Sequence, residues 1–297
     1  MHPTRTCTGR AAAAVFGAAV LAAVALTACG DNPKSDSPVS PPGAETAAKT
    51  KVLEAGAAAV QAKAPLDALN AYLDGFHFYN GRLQAQMEAH HYCAILNDDV
   101  IQCVIYDGNA RDAKLMGVEY VISAKLFETL PEAERALWHS HVHEVKSGQL
   151  IAPGIPDVAE RELMKKLVGT YGKTWHTWHT DLGQALPIGV PQLMMGFTAD
   201  GQADPAMVAE RDRRFGIDSA KKREQRREIE APPIAAGADA WQQGRTVQIE
   251  DPTGAADQVA QGAAHAPAQA DSAASRPSGA DAGSASAASA ASAAPTR

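Results

Sequence analysis

The chain has 297 residues, of which 45% are hydrophobic and 21% are charged, and its formal net charge is −7. This acidic balance argues against nucleic-acid binding, because contacts with phosphates need a basic face. The length alone allows one or two domains. Both ends of the chain have an unusual composition, so we expect one folded domain over residues 52–241.

Residues 1–28 have the pattern of a cleaved export signal. Arg5 and Arg10 precede an apolar stretch over residues 11–25, which is too short to remain as a membrane-spanning helix. The stretch ends in Leu-Thr-Ala followed by Cys29, and this ending resembles the lipobox of bacterial lipoproteins. The alternative is an ordinary cleaved signal that happens to be followed by a cysteine.

Lipid attachment at Cys29 would decide where the protein works. Several acyl chains on one cysteine anchor a protein stably in a membrane. We therefore predict a location in the bacterial cell envelope, with the lipid anchor in a membrane that faces the periplasm. Gly30 follows the cysteine where Asp would signal inner-membrane retention, which favours the outer membrane. The membrane is the one predicted partner, and the sequence identifies no protein partner.

Two segments have few of the large apolar residues that a folded core needs. Residues 29–51 are rich in Pro, Ser and Ala, a composition typical of a flexible tether. Residues 242–297 consist mostly of Ala, Ser, Gly, Asp and Pro. We expect this second segment to be a disordered tail, because it can bury too little surface to offset the entropy of ordering.

The first half of the domain predicts a helix, an aromatic loop and a β-hairpin. Pro65 is a favourable first residue for a helix. The apolar residues after it recur at helical spacing, and Gly75 ends the predicted helix. Residues 75–81 form an aromatic loop bounded by glycines. Residues 87–96 and 100–106 indicate two strands paired around a three-residue turn.

The predicted hairpin brings two cysteines together. Centring the turn on Asp98 places Cys93 opposite Cys103. In an oxidising compartment such a pair forms a disulfide where the geometry is suitable. The alternative is two buried free thiols that pack as small apolar residues.

The second half of the domain alternates strands and helices irregularly, which favours an α+β fold. Strands are predicted over 115–123, 139–145, 172–180 and 192–198, and helices over 131–138, 157–168 and 218–230. The last helix is basic and has the pattern of a solvated surface helix. We expect a single domain around a mainly antiparallel sheet, with flanking helices and disordered ends.

Clustered histidines suggest a functional site in this domain. His139, His141 and His143 alternate, so in a strand they would share one face, and Glu144 would face away. Two imidazoles on one face of a strand can reach a common divalent ion, whereas a third would need a bend in the chain.

Other histidines could complete such a site. The adjacent His90 and His91 point to opposite faces of a strand, so at most one of them joins a given site. That one could lie beside His176 or His179 if the sheet brings their strands together. The cofactor is undefined beyond a possible divalent transition metal, and no residue is assigned as catalytic. The alternative is that the histidines are hydrogen-bonded structural residues.

The chain lacks the motifs of several enzyme classes. It contains no GxSxG elbow, P-loop, GxGxxG, HExxH or CxxCH. Haem held by a single axial histidine has no sequence signature, so it stays open beside a metal ion. Whether the protein is an enzyme is left undecided.

Several long motifs together resemble the oil body-associated protein family. They are EAHHYC at 88–93, QCVIYD at 102–107, LWHSHVHEVKSGQLIAPG at 137–154, YGKTWHTW at 171–178 and PQLMMGFT at 191–198. The resemblance covers roughly residues 65–230. It implies association with lipid droplets, as in the plant members, and no established catalytic activity or cofactor.

Three classes of function compete. The lipobox and the resemblance favour a binding or structural protein tethered at a lipid surface of the envelope, which is the main prediction. The histidine clusters favour the alternative of a periplasmic metal- or haem-binding protein or metalloenzyme. In the third class the histidines are structural, and Trp and His side chains form a partner-binding face.

Overall fold

The computed structural model describes residues 33–251, and it confirms an α+β fold around an antiparallel sheet. The strands are β1 (Ala71–Tyr79), β2 (Arg82–Ile95), β3 (Val100–Tyr106), β4 (Leu115–Ser123), β5 (His139–Ser140), β6 (Thr170–His176) and β7 (Gln192–Met195). The helices are α1 (Ala48–Val60), α2 (Ala64–Asp67), α3 (Ala124–Phe127), α4 (Glu132–Arg135), α5 (Val142–Ser147), α6 (Asp157–Leu167), α7 (Pro205–Phe215) and α8 (Ser219–Gln225). Short 3-10 helices cover Thr180–Leu182 and Ala240–Gln243.

Antiparallel pairing closes the sheet into a barrel. The strand order is β4-β3-β2-β1-β7-β6-β5, and an additional pairing between β4 and β6 closes the first six strands of this order into a barrel. The short β5 pairs with β6 through His139 and Ser140. Closure matters for the site, because inward-facing side chains from all the barrel strands then meet around one axis.

Side chains alternate between the interior and the exterior of the barrel along each strand. The pairing register places five residues in one row around the inside, namely Cys93, Cys103, Glu119, Thr174 and Met194. The outer face of β1 and β7 is buried under α7 and the segment 241–247, in a cluster formed by Phe76, Phe78, Leu193, Met195 and Phe197. Both faces of these two strands are therefore covered.

The strands β2 and β3 form the predicted hairpin. Their register pairs Cys93 with Cys103, and the two sulfur atoms are bonded at 2.01 Å. Both cysteines are buried. Because the sulfurs are bonded to each other, neither is a free thiolate that could ligate a metal.

The predicted helix from Pro65 and the aromatic loop after it are wrong. The helix α2 is short, and β1 takes up the rest of this segment. Because β1 lies between β2 and β7, Phe76 and Phe78 are buried on its outer face while His77 and Tyr79 are buried on its inner face. A strand that is buried on both faces shows no polar alternation, which explains why spacing suggested a helix.

The predicted strand over residues 139–145 is also wrong in its second part. Only two residues form β5, and α5 follows directly. The N–H of His141 donates to the carbonyl of Thr170 at 3.2 Å, and the chain then coils until Gly148, whose φ of 83° ends the helix. Strand spacing therefore does not apply beyond His141.

The basic segment after β7 forms two helices rather than one. The unpredicted α7 begins after Asp204, whose carboxylate accepts from the N–H of Ala206. The helix α8 is shorter than expected, and the segment is not simply a solvated surface. Arg211 and Arg226 are fully buried, and Arg226 donates to the carbonyl of Leu150 at 2.7 Å.

Only some of the N-terminal predictions concern residues that the structure describes. The signal segment 1–28 and the predicted lipid site at Cys29 lie outside the described residues, as does most of the predicted tail. Within the predicted tether, the Ser37 hydroxyl donates to Asp107 at 2.7 Å and Val39 is buried. Over residues 33–251, no helix combines the length and the apolar character needed to cross a membrane.

The packed chain continues past the predicted boundary at residue 241. The amide of Gln248 donates to the carbonyl of Leu193 at 2.9 Å and accepts from the N–H of the same residue at 2.8 Å. Val247 packs on the apolar cluster outside β1 and β7. Through these two hydrogen bonds, the Gln248 side chain attaches the segment 245–251 to the backbone of β7.

We expect the segment 245–251 to stabilise the domain measurably. A chain that ends at Gly244 should have a free energy of unfolding about 2 kcal/mol lower than one that ends at Asp251, from the lost hydrogen bonds and apolar contact. Urea unfolding of the two truncated chains measures the difference. Gln248→Ala in the longer chain should produce about half of it, and equal unfolding midpoints would contradict the assignment.

Candidate metal centre

Glu119 lies at the centre of the barrel and is almost fully buried, with 3% of its surface exposed. Four histidine Nε2 atoms surround its carboxylate, at 2.9 Å for His91, 3.1 Å for His141, 3.6 Å for His139 and 3.8 Å for His77. Two ligand atoms bonded to one transition metal ion at about 2.0–2.2 Å lie about 3.0–3.5 Å apart. The observed spacing is close to that of a ligand set.

Distant parts of the chain supply the side chains of this cluster. His77 comes from β1, His91 from β2, Glu119 from β4 and His139 from β5. The remaining members are His141, which precedes α5, Glu144 within α5, and His176 at the end of β6. All seven are buried. We call these seven side chains the barrel cluster.

Four of the predicted histidines belong to the barrel cluster, namely His91, His139, His141 and His176. The neighbouring His90 and His91 lie on opposite faces of β2, as a strand requires. His90 faces outward and lies 3.1 Å from a carboxylate oxygen of Asp74.

The remaining two predicted histidines lie elsewhere. His143 lies in α5, which directs its side chain away from the barrel cluster, and its Nε2 atom lies 3.9 Å from Asp200. His179 follows β6 and lies 3.1 Å from the Tyr79 hydroxyl. The expected common face of residues 139, 141 and 143 does not form, because the strand ends before the third histidine.

Sequence reasoning missed Glu119, His77 and Glu144. The signal for Glu119 was a carboxylate in the middle of an otherwise apolar strand, a position that is costly to bury without a partner. His77 lies within residues 75–81, for which the sequence predicts an aromatic loop, whereas the structure places it in β1. Glu144 was expected to face away from the histidines, but the turn of α5 places its Oε2 atom 4.0 Å from both His139 and His141.

Hydrogen bonds outside the cluster orient two of its imidazoles. The Nδ1 atom of His91 lies 3.1 Å from the carbonyl of Ala89, which only accepts. The Nδ1 atom of His141 lies 2.8 Å from the hydroxyl of Thr170, whose own proton goes to the carbonyl of Leu167. Both Nδ1 atoms therefore carry a proton, and carbonyl and hydroxyl partners of this kind are typical of metal-binding histidines.

This proton arrangement constrains the inner nitrogens. With Nδ1 protonated, the Nε2 atoms of His91 and His141 face the carboxylate of Glu119 either as imidazolium or with a lone pair. A lone pair beside a carboxylate is repulsive unless a cation lies between them. The geometry therefore requires a positive charge between these nitrogens and the carboxylate of Glu119, supplied either by protons or by a metal ion.

Burial controls the ionisation of the cluster. It lowers the pKa of His139 to about 3 and raises the pKa of Glu144 to about 7. Burial also opposes ionisation of Glu119, but hydrogen bonds from His141 and His91 outweigh it and hold the pKa of Glu119 well below its usual range. The low pKa leaves His139 neutral beside the ionised Glu119, which is the protonation state that metal ligation requires.

Several polar atoms of the cluster lack a hydrogen-bond partner. They are both ring nitrogens of His139, Nδ1 of His176 and Oε2 of Glu144. Burying polar atoms without partners is costly, and a bound ion or water molecule is one way to satisfy them. A cavity of about 20 Å³ adjoins the cluster, lined by residues that include His77, Glu119 and Glu144. It has room for one water molecule or ion, which leaves no space for a haem macrocycle.

Glycines allow the backbone to approach the cluster closely. A Cβ atom at Gly172 would lie 2.1 Å from Oε1 of Glu119 and 2.8 Å from the ring of His139. A Cβ atom at Gly196 would lie 2.8 Å from the carboxylate of Glu144. Neither position tolerates a side chain without displacing a member of the cluster.

We expect Gly172→Ala to disrupt the site. The added methyl group must push Glu119 away, at a cost of about 3 kcal/mol or more in unfolding free energy. Thermal melting and metal content of the variant measure the effect. Gly56→Ala in the exposed helix α1 is the matched control and should leave stability equal or slightly higher, because no atom lies within 4 Å of its Cβ position. An unchanged melt of Gly172→Ala would contradict the close packing.

A second group of ligand-type residues lies outside the barrel and has a different character. Asp74, Glu88 and His90 lie within ligand distance of one another. Arg211 donates to Asp74 at 2.7 Å, and Arg214 pairs with Glu88. Because arginines already balance these carboxylates, this group is a charge network of the core and not a metal centre.

Known proteins share most of this domain. The profile of the family described as "Protein of unknown function (DUF1264)" matches residues 63–230. Oil body-associated protein 1B of Arabidopsis thaliana is 42% identical over 209 residues, which cover 70% of this chain and 87% of the relative. Oil body-associated protein 1A of Zea mays is 46% identical over 191 residues, covering 64% and 80%.

The chain belongs to the oil body-associated protein family. Oil body-associated protein 2A of Zea mays is 41% identical over 195 residues, which cover 65% of this chain and 77% of the relative. The matched range contains all seven residues of the barrel cluster. No solved structure matches the chain.

Membership in this family corrects the predicted location. The relatives are plant oil body-associated proteins and not lipoproteins of a bacterial envelope, so the prediction of a location in the bacterial cell envelope is wrong. That prediction depended on residues 1–29, which precede both the matched range and the described residues.

Proposed function

We propose that this member of the oil body-associated protein family binds a divalent transition metal inside its barrel. The observation that carries the proposal is the barrel cluster, in which histidine nitrogens and two carboxylates face one another in the buried interior, and several of their polar atoms lack a hydrogen-bond partner. Burying carboxylates in this way is unfavourable unless a cation balances them. Imidazole and carboxylate ligands suit ions such as Zn²⁺, Fe²⁺ and Mn²⁺.

The proposal is tested by the metal content of the full chain, purified without a histidine tag. Elemental analysis should find at least one transition metal ion per chain, either as purified or after dialysis against Zn²⁺. The double variant His91→Ala/His141→Ala should lose it. His143→Ala and His179→Ala remove histidines outside the barrel cluster and should keep it. A wild-type chain that takes up no Zn²⁺, Fe²⁺ or Mn²⁺ would overturn the proposal, since the histidines would then hold protons instead.

Association with an oil surface is a second candidate function. Its support is the identity of 36–46% with relatives that are named for oil bodies. An exposed groove of about 330 Å³ runs along the outer face of β2 and β3, lined by residues that include Leu66, Leu69, Tyr92, Val104 and Tyr106. Apolar and aromatic side chains at a surface are suited to a boundary between oil and water.

Flotation with artificial oil droplets tests this candidate. The full chain should rise with triacylglycerol droplets that carry a phospholipid monolayer. A Leu66→Asp/Leu69→Asp variant should float several-fold less, because charge in the groove opposes burial in oil. The control is the double variant Glu45→Asp/Glu54→Asp, which changes two residues before the groove but keeps their charge. It should float like the wild-type chain. Equal flotation of wild-type and groove variant would exclude the groove as the contact.

A further inference from the structure

The barrel cluster contains more ligand side chains than a site for one metal ion usually has. Sites for a single transition metal ion are usually built from about three or four protein side chains. The cluster offers five histidines and two glutamates, namely His77, His91, His139, His141, His176, Glu119 and Glu144. A single ion at its centre would leave several of these groups buried without a partner.

The carboxylate of Glu119 divides the cluster into two halves. Its Oε1 atom faces His141 at 3.1 Å and His139 at 3.6 Å. Its Oε2 atom faces His91 at 2.9 Å and His77 at 3.8 Å. The ligand atoms of Glu119 with each pair of histidines lie within 4.8 Å of one another. A carboxylate with different ligands at each oxygen has the arrangement of a bridge between two ions.

We infer that the barrel holds two divalent transition metal ions bridged by Glu119, an inference that rests on the proposed function. One ion binds Oε2 of Glu119, His77 and His91. The second ion binds Oε1 of Glu119, His139 and His141, and Glu144 is its fourth protein ligand. Two-metal sites of proteins have ions about 3.5–4 Å apart, a spacing that the two oxygens of one carboxylate can bridge.

The unpartnered atoms of the cluster agree with this assignment. Oε2 of Glu144 lies 4.0 Å from the Nε2 atoms of both His139 and His141 and has no hydrogen-bond partner. Nε2 of His139 also lacks one. Both atoms become satisfied by an ion placed between them and Oε1 of Glu119. The cavity of about 20 Å³ beside them leaves room for one further small ligand such as water.

His176 acts on the first ion through His77 and is a positioning residue. Its Nε2 atom lies 3.4 Å from Nδ1 of His77, the nitrogen on the side of the ring away from the carboxylate contact. A proton on Nδ1 of His77 donated to His176 leaves Nε2 of His77 free to bind the ion. His176 therefore fixes the tautomer and the orientation of His77.

The number of ions and their coupling test the inference. The full chain, stripped with chelator and reconstituted with Mn²⁺, should bind two ions per chain. Its electron paramagnetic resonance spectrum should show an exchange-coupled pair and not two isolated ions. One ion per chain, or two ions without coupling, would overturn the bridge but leave the proposed function intact. No bound ion with Mn²⁺, Zn²⁺ or Fe²⁺ would overturn both.

Single substitutions assign the two halves. His91→Ala and His139→Ala should each reduce the number of bound Mn²⁺ ions from two to one or below, and both should abolish the coupled spectrum. His143→Ala is the matched control from the same histidine-rich segment and should keep two coupled ions. Glu119→Gln removes the negative bridge with little change of shape, so it should abolish coupling even if the fold is intact. A coupled pair in Glu119→Gln would contradict the bridging role.

Discussion

Adding Zn²⁺ to the metal-free full chain should raise its melting temperature by about 10 °C. A ligand at a thousandfold excess over its dissociation constant stabilises the folded state by about 4 kcal/mol. For a domain of this size each kcal/mol shifts the melting temperature by about 2–4 °C. The ion also replaces repulsion between buried lone pairs and carboxylates with ligation, so the gain comes from the barrel interior itself.

Differential scanning fluorimetry with and without Zn²⁺ measures this shift. The His91→Ala/His141→Ala variant should melt at the same temperature in both conditions, because it lacks one ligand on each side of Glu119. The control with His179→Ala should keep the full shift, since that side chain contacts the Tyr79 hydroxyl outside the barrel cluster. An equal melting temperature of the wild-type chain with and without Zn²⁺ would argue that protons balance the carboxylates.

Replacement of Arg211 should have the largest effect among changes outside the barrel. The side chain of Arg211 is fully buried and donates to Asp74 at 2.7 Å and to the carbonyl of Gln149 at 2.8 Å, while its guanidinium lies 4.6 Å from the ring centre of Phe76. Burial raises the pKa of Asp74, but the hydrogen bond from His90 and the charge of Arg211 outweigh it and lower the pKa to about 2. Asp74 is therefore ionised and depends on its partners.

Arg211→Met should lower the free energy of unfolding by about 3–5 kcal/mol, because it leaves the buried carboxylate of Asp74 without its cation. Urea unfolding measures the loss. Arg213→Met is the matched control on the same helix. Arg213 pairs with Glu210 at the surface, where its side chain is 74% exposed, so its replacement should change stability by less than about 1 kcal/mol. Equal effects of the two substitutions would contradict a structural role for the buried pair.

The hairpin of β2 and β3 shows what local pattern reveals. Its strands alternate, its turn is short, and turn length sets the register of such a pair. The pairing of Cys93 with Cys103 could therefore be derived from spacing alone. The same reasoning correctly separated His90 and His91 onto opposite faces of one strand.

The alternating histidines show where local pattern misleads. The spacing of residues 139, 141 and 143 is that of a strand, yet the strand ends after Ser140. The helix that follows removes His143 from the cluster and brings Glu144 into it. The backbone coils here because its strand partner β6 begins at Thr170, opposite the point where the chain leaves the sheet.

By itself, the sequence determined the α+β class, the hairpin register and the concentration of histidines in one domain, because each of these follows from composition or short-range periodicity. Only the tertiary structure decided which histidines meet. His77, Glu119 and His176 are distant in the chain, and they become neighbours because β4 pairs with β6 and closes the barrel. Closure depends on long-range pairing and on the close approach of the backbone at Gly172, which no local period encodes.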